Sequence, residues 1–374
     1  MQEIVGVVAL RDELEEIIST IEGAVQIIAR ELDSGAKLNV SLITMKLSEV
    51  NTWSHKFIMF LVRIAQARDL FVKANGELNH SQMHEWSEMT TQVFKIRTSI
   101  FDWPKVESIV RKQVLAKREP LYRRADRTEA ITPIQLSVND AIFNDVHELL
   151  ARNSQDTEAH EHGCFPDISL PQSIFIEHVH AAHRVLLAKR LKHPTRFLDV
   201  GCGGGLKVLS ASKFFGRADG LEYDAGYATT AGRLFEMSGA GTCSVIHGDG
   251  LIYDDYARYD VIYFYRPMRD YDLLHQLEEQ IVNTALPGTL IIAPYLMFDH
   301  RYKELGCGRI ANRLYATQTS QSDADALRRS AEKTGVSVTK QMQTLNSIWE
   351  PILSVSRDRG FAFDNYVEGH RTNS

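Results

Sequence analysis

The first third of the chain repeats apolar residues at helical spacing. Leu10, Leu14, Ile17, Ile18, Ile21, Val25, Ile28 and Leu32 form one stripe, and Asp33-Ser34-Gly35 is an ordinary way for such a helix to stop. A second helix is predicted over Ser41 to Val72, with Val50, Phe57, Leu61 and Ile64 on one face. A third begins near Asn79 and carries Met83, Trp86, Val93 and Ile100; Val106 to Lys117 gives a fourth, beyond Pro104. Thr132-Pro133 breaks this region. Val138 to Arg152 then predicts a short helix, and the polar stretch Asn153 to Gly163 a loop.

Beyond a helix over Pro171 to Leu191 the pattern changes. Short apolar runs now alternate with helical ones: strands at Arg196 to Leu198, Arg217 to Asp224, Thr242 to Ile246, Tyr259 to Tyr265 and Thr289 to Ala293, with helices at Leu206 to Phe215 and Asp270 to Ala285. Strands separated by helices predict a parallel sheet covered on both faces. The tail predicts a strand within Gly306 to Thr317, a helix over Ser322 to Lys333, a strand at Val336 to Lys340 and a helix over Ile348 to Asp358. The organisation expected is therefore an all-α domain over residues 1–130 and an α/β domain over residues 131–374.

The densest chemical signal follows the first of those strands: Asp199-Val200-Gly201-Cys202-Gly203-Gly204-Gly205. Glycines there let the backbone turn tightly and let a ligand come closer than any side chain permits. The dinucleotide fingerprint Gly-x-Gly-x-x-Gly asks for a third glycine where Leu206 stands; here it falls one residue early, at Gly205. Glu222 ends the second strand, 23 residues after Asp199, where an acid accepts from both hydroxyls of a ribose. Tyr223 adjoins it, and the third strand runs into His247-Gly248-Asp249-Gly250.

An acid two residues before Gly-x-Gly-x-Gly resembles motif I of the class I S-adenosylmethionine (SAM)-dependent methyltransferases. The resemblance covers roughly residues 172 to 296, and the order and spacing of its motifs are more specific than any one of them. It implies a Rossmann-like sheet joined here to an N-terminal all-α helical domain. SAM is then the cofactor, held by Asp199, Gly201, Cys202, Gly203, Glu222, Tyr223, Asp249 and Gly250. Asp249 takes the place of the acid that accepts from the adenine amine, and the Pro287-Gly288 turn feeding the fifth strand fits the same family. The segment before the first strand often closes over SAM in such enzymes, which would bring some of Gln172, Ser173 and Phe175 near its methionine end. The residues after the fourth strand face the methyl group, so Tyr265 and Arg266 are the candidate catalytic pair. Tyr265-Arg266-Pro267-Met268 does not match the Asn/Asp-Pro-Pro-Tyr of amino-methylating DNA enzymes, and the Pro-Cys nucleophile of cytosine-carbon enzymes is absent.

Composition narrows this little. Of 374 residues 44% are hydrophobic and 24% charged, enough for a sizeable core, and the net charge of −6 argues against a protein that coats nucleic acid. Nucleic acid remains open but not favoured. The basic run from Lys105 to Arg127, eight cations against Glu107, Glu119 and Asp126, reads first as a solvated helix face. Four scattered cysteines and the lack of a signal peptide or a long apolar run predict a cytoplasmic protein without a membrane span. His160 and His162 on the polar loop lack the spacing of a zinc motif, so no metal is expected. The helical domain predicts either a homodimer contact or a substrate cap. Two rival readings stand beside methyl transfer to an unidentified acceptor, small molecule or macromolecular side chain. One is an aminopropyl or aminobutyryl transferase like the nicotianamine synthases, whose glycine turn differs. The other is a non-catalytic SAM-binding partner subunit.

Overall fold

The structure is a computed structural model that describes residues 7–34, 38–76, 79–115, 117–122, 138–150, 155–168, 170–338 and 347–362. It divides into two compact units: residues 1–117 with 341–365, and residues 118–340 with 366–374. A single cut near residue 130 does not describe this division, because a late segment returns to the first unit.

In the first unit α1 (Val7–Asp33), α2 (Val40–Asn75) and α3 (His80–Leu115) are joined by α12 (Glu350–Arg357), numbered in chain order. The predicted α1 stripe is buried from Leu10 to Leu32, apart from the half-buried Ile18, and packs on α2 and α12. Asn39 caps α2 by accepting from the Leu42 N–H at 3.1 Å. The third and fourth predicted helices are one helix, with Pro104 inside it. A proline there forfeits a backbone hydrogen bond. Burial of Trp103, Val106, Ile109 and Val110 around it carries the helix through. Trp349 locks α12 in place: its ring lies 4.7 Å from that of Trp103, and its Nε1 donates to the Ser99 carbonyl at 2.6 Å. Lys105 and Arg111 of the basic run pair with Asp102 and Glu107, whereas residues 123–130 lie outside the described residues.

The second unit opens with α4 (Val138–Leu150), the short α5 (Thr157–Glu161) inside the stretch expected to be loop, and α6 (Gln172–Lys189). Then follow β1 (Arg196–Val200), α7 (Leu206–Ala211), β2 (Arg217–Glu222), α8 (Ala225–Met237), β3 (Cys243–His247), β4 (Val261–Phe264), α9 (Tyr271–Thr284) and β5 (Leu290–Ile292). The unit ends with α10 (Leu296–Arg301), β6 (Gly308–Ala311), β7 (Leu314–Ala316) and α11 (Gln321–Ala331). The seven strands run in the order β3-β2-β1-β4-β5-β7-β6, the first five parallel and β7 antiparallel to both neighbours. The strand expected within Gly306 to Thr317 is thus a hairpin. Asn312, at φ 43°, turns the chain in the left-handed region that asparagine tolerates. The strand expected from Val336 does not form at residues 336–338, and residues 339 and 340 lie outside the described set.

Side chains alternate across the sheet. Phe197, Ala218 and Tyr263 pack towards α6 and α7, while Leu198, Leu221, Ile262 and Phe264 join the other core. The order reverses between β1 and β4, which opens a crevice at their carboxyl ends. Among the described residues no helix is long and apolar enough to cross a membrane.

Candidate active site

At that crevice lies a cleft of about 920 Å³, open mouth included. The ten residues assigned from sequence to cofactor binding or catalysis line it: Asp199, Gly201, Cys202, Gly203, Glu222, Tyr223, Asp249, Gly250, Tyr265 and Arg266. The parallel register explains the convergence. Asp199 is level with Gly220 on β2 and with Tyr263 on β4, and Glu222 with His247 on β3.

The glycine turn is built by close approach. Gly203 has φ +53°, and a Cβ there would lie 2.3 Å from the carboxyl carbon of Asp167. Gly205 begins α7 at φ +81°, where a Cβ would meet Ala231 and the Phe235 ring at 2.8 Å. Gly205→Ala combines left-handed strain with overpacking, and is expected to destabilise the protein by about 2 kcal/mol, read as a lower denaturant midpoint. An unchanged midpoint would show that α8 gives way without cost. Cys202 turns its sulfur away from the turn, into the space left by Gly220, so its backbone is what it offers to the cleft.

Glu222 is buried, and its carboxylate accepts from the Gly203 N–H at 2.7 Å and the Asp224 N–H at 2.9 Å. Burial pushes its carboxyl up to about 7, against those two N–H groups, which favour the ionised form. Burial likewise raises Asp199, opposed by the Lys207 ammonium and reinforced by Asp167 and Glu222. Tyr223 stacks on His162 with centroids 4.2 Å apart, and His162 Nε2 lies 3.3 Å from an Asp249 carboxylate oxygen. Asp249 also accepts from the Leu251 N–H at 2.9 Å. The Gly250 carbonyl accepts from the Tyr256 hydroxyl at 2.8 Å.

Residues 155–168 cross the cleft beside the end of β4. Gln155 Nε2 donates to the carbonyls of Cys164 and Phe165 at 3.1 Å each, the Phe165 N–H donates to the Pro267 carbonyl at 3.0 Å, and the Arg269 N–H to that of Gly163 at 2.7 Å. Arg266 has φ 49°; its guanidinium lies 5.1 Å from the Phe165 ring and 5.6 Å from that of Tyr271. Its Nε has no hydrogen-bond partner among the described residues.

This segment corrects one expectation. Gln172, Ser173 and Phe175 do not line the cleft: Gln172 donates to Ser210, Ser173 to Asp140, and Phe175 packs on Phe197 and Tyr263. Cys164 to Ile168 hold that place instead. Asp167, Lys207, Tyr263 and His147 line the cleft and were not singled out from sequence. Lys207 follows the glycine turn closely enough to have been suspected; Asp167 and His147 carry no motif. The histidines of the loop are engaged elsewhere, His160 with Arg269 and His162 with Asp249, and no group of three metal-ligating side chains occurs among the described residues.

Residues 136–280 match the family model of protein-L-isoaspartate (D-aspartate) O-methyltransferases. No curated protein matches the chain. Solved structures similar to it include an RNA methyltransferase from Salinibacter ruber in complex with S-adenosyl-L-homocysteine, 20% identical over 34% of this chain and 76% of that one, with a TM-score of 0.27. CalS10, an amino pentose methyltransferase from Micromonospora echinaspora solved with SAM, is 19% identical over 37% of this chain and 54% of its own, with a TM-score of 0.28. A SAM-dependent methyltransferase from Thiobacillus denitrificans is 19% identical over 40% and 54%, also at 0.28. The chain therefore spans about half the length of the latter two. The family match falls on the strands and turns that build the cleft, and it agrees with the sheet order and with the acid and glycines after β1: the Rossmann-like unit is a class I SAM-dependent methyltransferase domain, and SAM is the cofactor of that class.

Proposed function

We propose that the cleft binds SAM through the residues assigned from sequence and presents its methyl group to a carboxylate-bearing acceptor at the end of β4. One observation carries the donor half: the glycine turn, Glu222 and Asp249, separated in sequence, line one cleft. The fit is supported by unfilled hydrogen-bonding capacity in its wall, the Tyr263 hydroxyl and Arg266 Nε. SAM supplies an electrophilic methyl group on a sulfonium, a good leaving group, so the chain's own task is mainly alignment. In this reading Glu222 accepts from the ribose hydroxyls, Asp249 from the adenine amine, and Gly250 lies against the ring. The segment over residues 164–168 keeps water from the reacting atoms.

The acceptor half rests on Arg266. A guanidinium held between two rings with Nε free is suited to a planar carboxylate. A carboxylate needs no general base, since it is already ionised at neutral pH. The family whose model matches is described by methylation of isoaspartyl and D-aspartyl residues, which agrees. The test is transfer from labelled SAM to isoaspartyl peptides and to small carboxylic acids, followed by mild base. Label released as methanol marks a carboxyl ester; base-stable label would place the methyl on nitrogen or carbon and overturn the carboxylate reading.

The raised Glu222 carboxyl gives a pH signature. Both carboxylate oxygens accept only in the ionised form, and protonation turns one of them into a donor, so donor affinity is expected to fall as pH drops below 7. Stability should move the other way. The unfolded carboxyl ionises from about 4.5 and the folded one only near 7, so Glu222 makes stability fall as pH rises through that window and leaves it level above. Titration of S-adenosylhomocysteine from pH 5.5 to 8, with Glu222→Gln as control, checks this. An equally flat profile in both proteins would mean that Glu222 is ionised throughout.

For the first unit we read a contact between two copies. Met83, Phe94 and Phe101 are exposed along α3 at spacings that return to one face. Its domain role, separate from the donor site, is tested by the mass of the chain in solution. The four free cysteines support a reducing, cytoplasmic compartment.

A further inference from the structure

One side chain of the crossing segment already engages two of the residues assigned to the donor. His162 lies flat on the Tyr223 ring, with centroids 4.2 Å apart and planes 9° from parallel. Its Nε2 stands 3.3 Å from an Asp249 carboxylate oxygen, out of line for a hydrogen bond, and has no hydrogen-bond partner among the described residues. A flat ring against Tyr223 with a nitrogen at Asp249 is the pattern that an adenine and its amine would make there. Tyr223 and Asp249 line the cleft, whereas His162 does not. The backbone holds the imidazole in this place from both sides. His162 caps the C-terminus of α5, its N–H donating to the Glu158 carbonyl at 2.8 Å. At the start of α5 the Asp156 N–H donates to the Asp224 carboxylate at 2.7 Å, next to Tyr223. On the other side the Gly163 carbonyl accepts from the Arg269 N–H at 2.7 Å, beyond β4. The side chain is less confined. It is 25% exposed, so the ring can turn outward while the backbone stays.

Resting on the donor reading above, we propose that His162 is an internal competitor of the donor's adenine, an autoinhibitory contact that occupies Tyr223 and Asp249 until the base displaces it. The exchange is uneven. His162 offers Asp249 a contact that is not a hydrogen bond, whereas an exocyclic amine donates one, so the base is the stronger partner of the acid. The displacement still lowers the apparent affinity, by the fraction of chains whose imidazole has turned away; at about one chain in ten the loss is about tenfold. The contact thus sets how much donor is needed to fill the cleft. Cys164 to Ile168 follow His162 closely and line the same cleft, so filling it is coupled to the segment that passes the end of β4.

The test is calorimetric titration of the full chain with S-adenosylhomocysteine, His162→Ala beside the wild type. Removing the competitor is expected to tighten binding about tenfold. Unchanged affinity would overturn the proposal, and so would weaker binding, which would make His162 a support for the base. The wild-type chain gives a second reading that needs no substitution. Modification of His162 by diethyl pyrocarbonate, located by peptide mass spectrometry, should increase when saturating S-adenosylhomocysteine turns the imidazole out to solvent. Protection of His162 by the ligand, or no change, would overturn the proposal. Either failure in a chain that binds S-adenosylhomocysteine leaves the donor reading intact. A wild type and a variant that both fail to bind it overturn the donor reading, and this contact with it.

Discussion

Glu222→Ala is expected to weaken S-adenosylhomocysteine binding by about 100-fold or more, because two charge-assisted hydrogen bonds to the ribose go together. The same carboxylate also holds the Gly203 N–H at 2.7 Å, so its loss frees one side of the glycine turn as well. Glu222→Gln keeps one of the two acceptor oxygens and should lose less, about tenfold. Neither variant should unfold the domain, since a carboxyl that burial raises to about 7 is not itself a large source of stability at neutral pH. Titration at pH 8 with thermal melts of the same samples reads both properties. A loss below about threefold for Glu222→Ala would remove the ribose assignment.

The second large effect lies in the other unit. Trp349→Ala is expected to cost about 3–5 kcal/mol, the range for emptying a buried indole site. Trp349 is 1% exposed and stacks near Trp103, and its Nε1 supplies the Ser99 carbonyl with a donor inside α3. Truncation leaves a cavity and an acceptor short of a partner, and it cuts α12 loose from α3. Scanning calorimetry should show the corresponding transition at a markedly lower temperature. A shift under about 2 °C would mean that α12 contributes little to the helical core.

How much of this the sequence reveals depends on whether a residue's role is local. The α1 stripe, the capped α2 and the five parallel strands follow from apolar period alone, so their existence is legible and only their ends move. The glycine turn, Glu222 and Asp249 are legible because each sits at a strand end, where the parallel sheet gathers them without further information. Pro104 shows the opposite case. Local chemistry argues for a break, and burial of the flanking Trp103 and Val106 overrides it. Trp349 and α12 join residues 250 positions away, a link that no spacing reveals. The hairpin of β6 and β7 reads as one strand because its turn, Asn312-Arg313, lacks the usual glycine. Asp167 escapes notice for a related reason. Its role comes from the segment over residues 155–168 folding across the turn, and a lone aspartate after Phe165-Pro166 has no signature. Resemblance brings some of Gln172, Ser173 and Phe175 near the cleft, but α6 faces them towards Ser210, Asp140 and the sheet core.

The central claim is that the cleft is a SAM site, and calorimetric titration of the purified chain with SAM, S-adenosylhomocysteine and NAD tests it most directly. Micromolar binding of the first two with none of NAD is the expected result. Binding of NAD alone, or of none of the three, would contradict it.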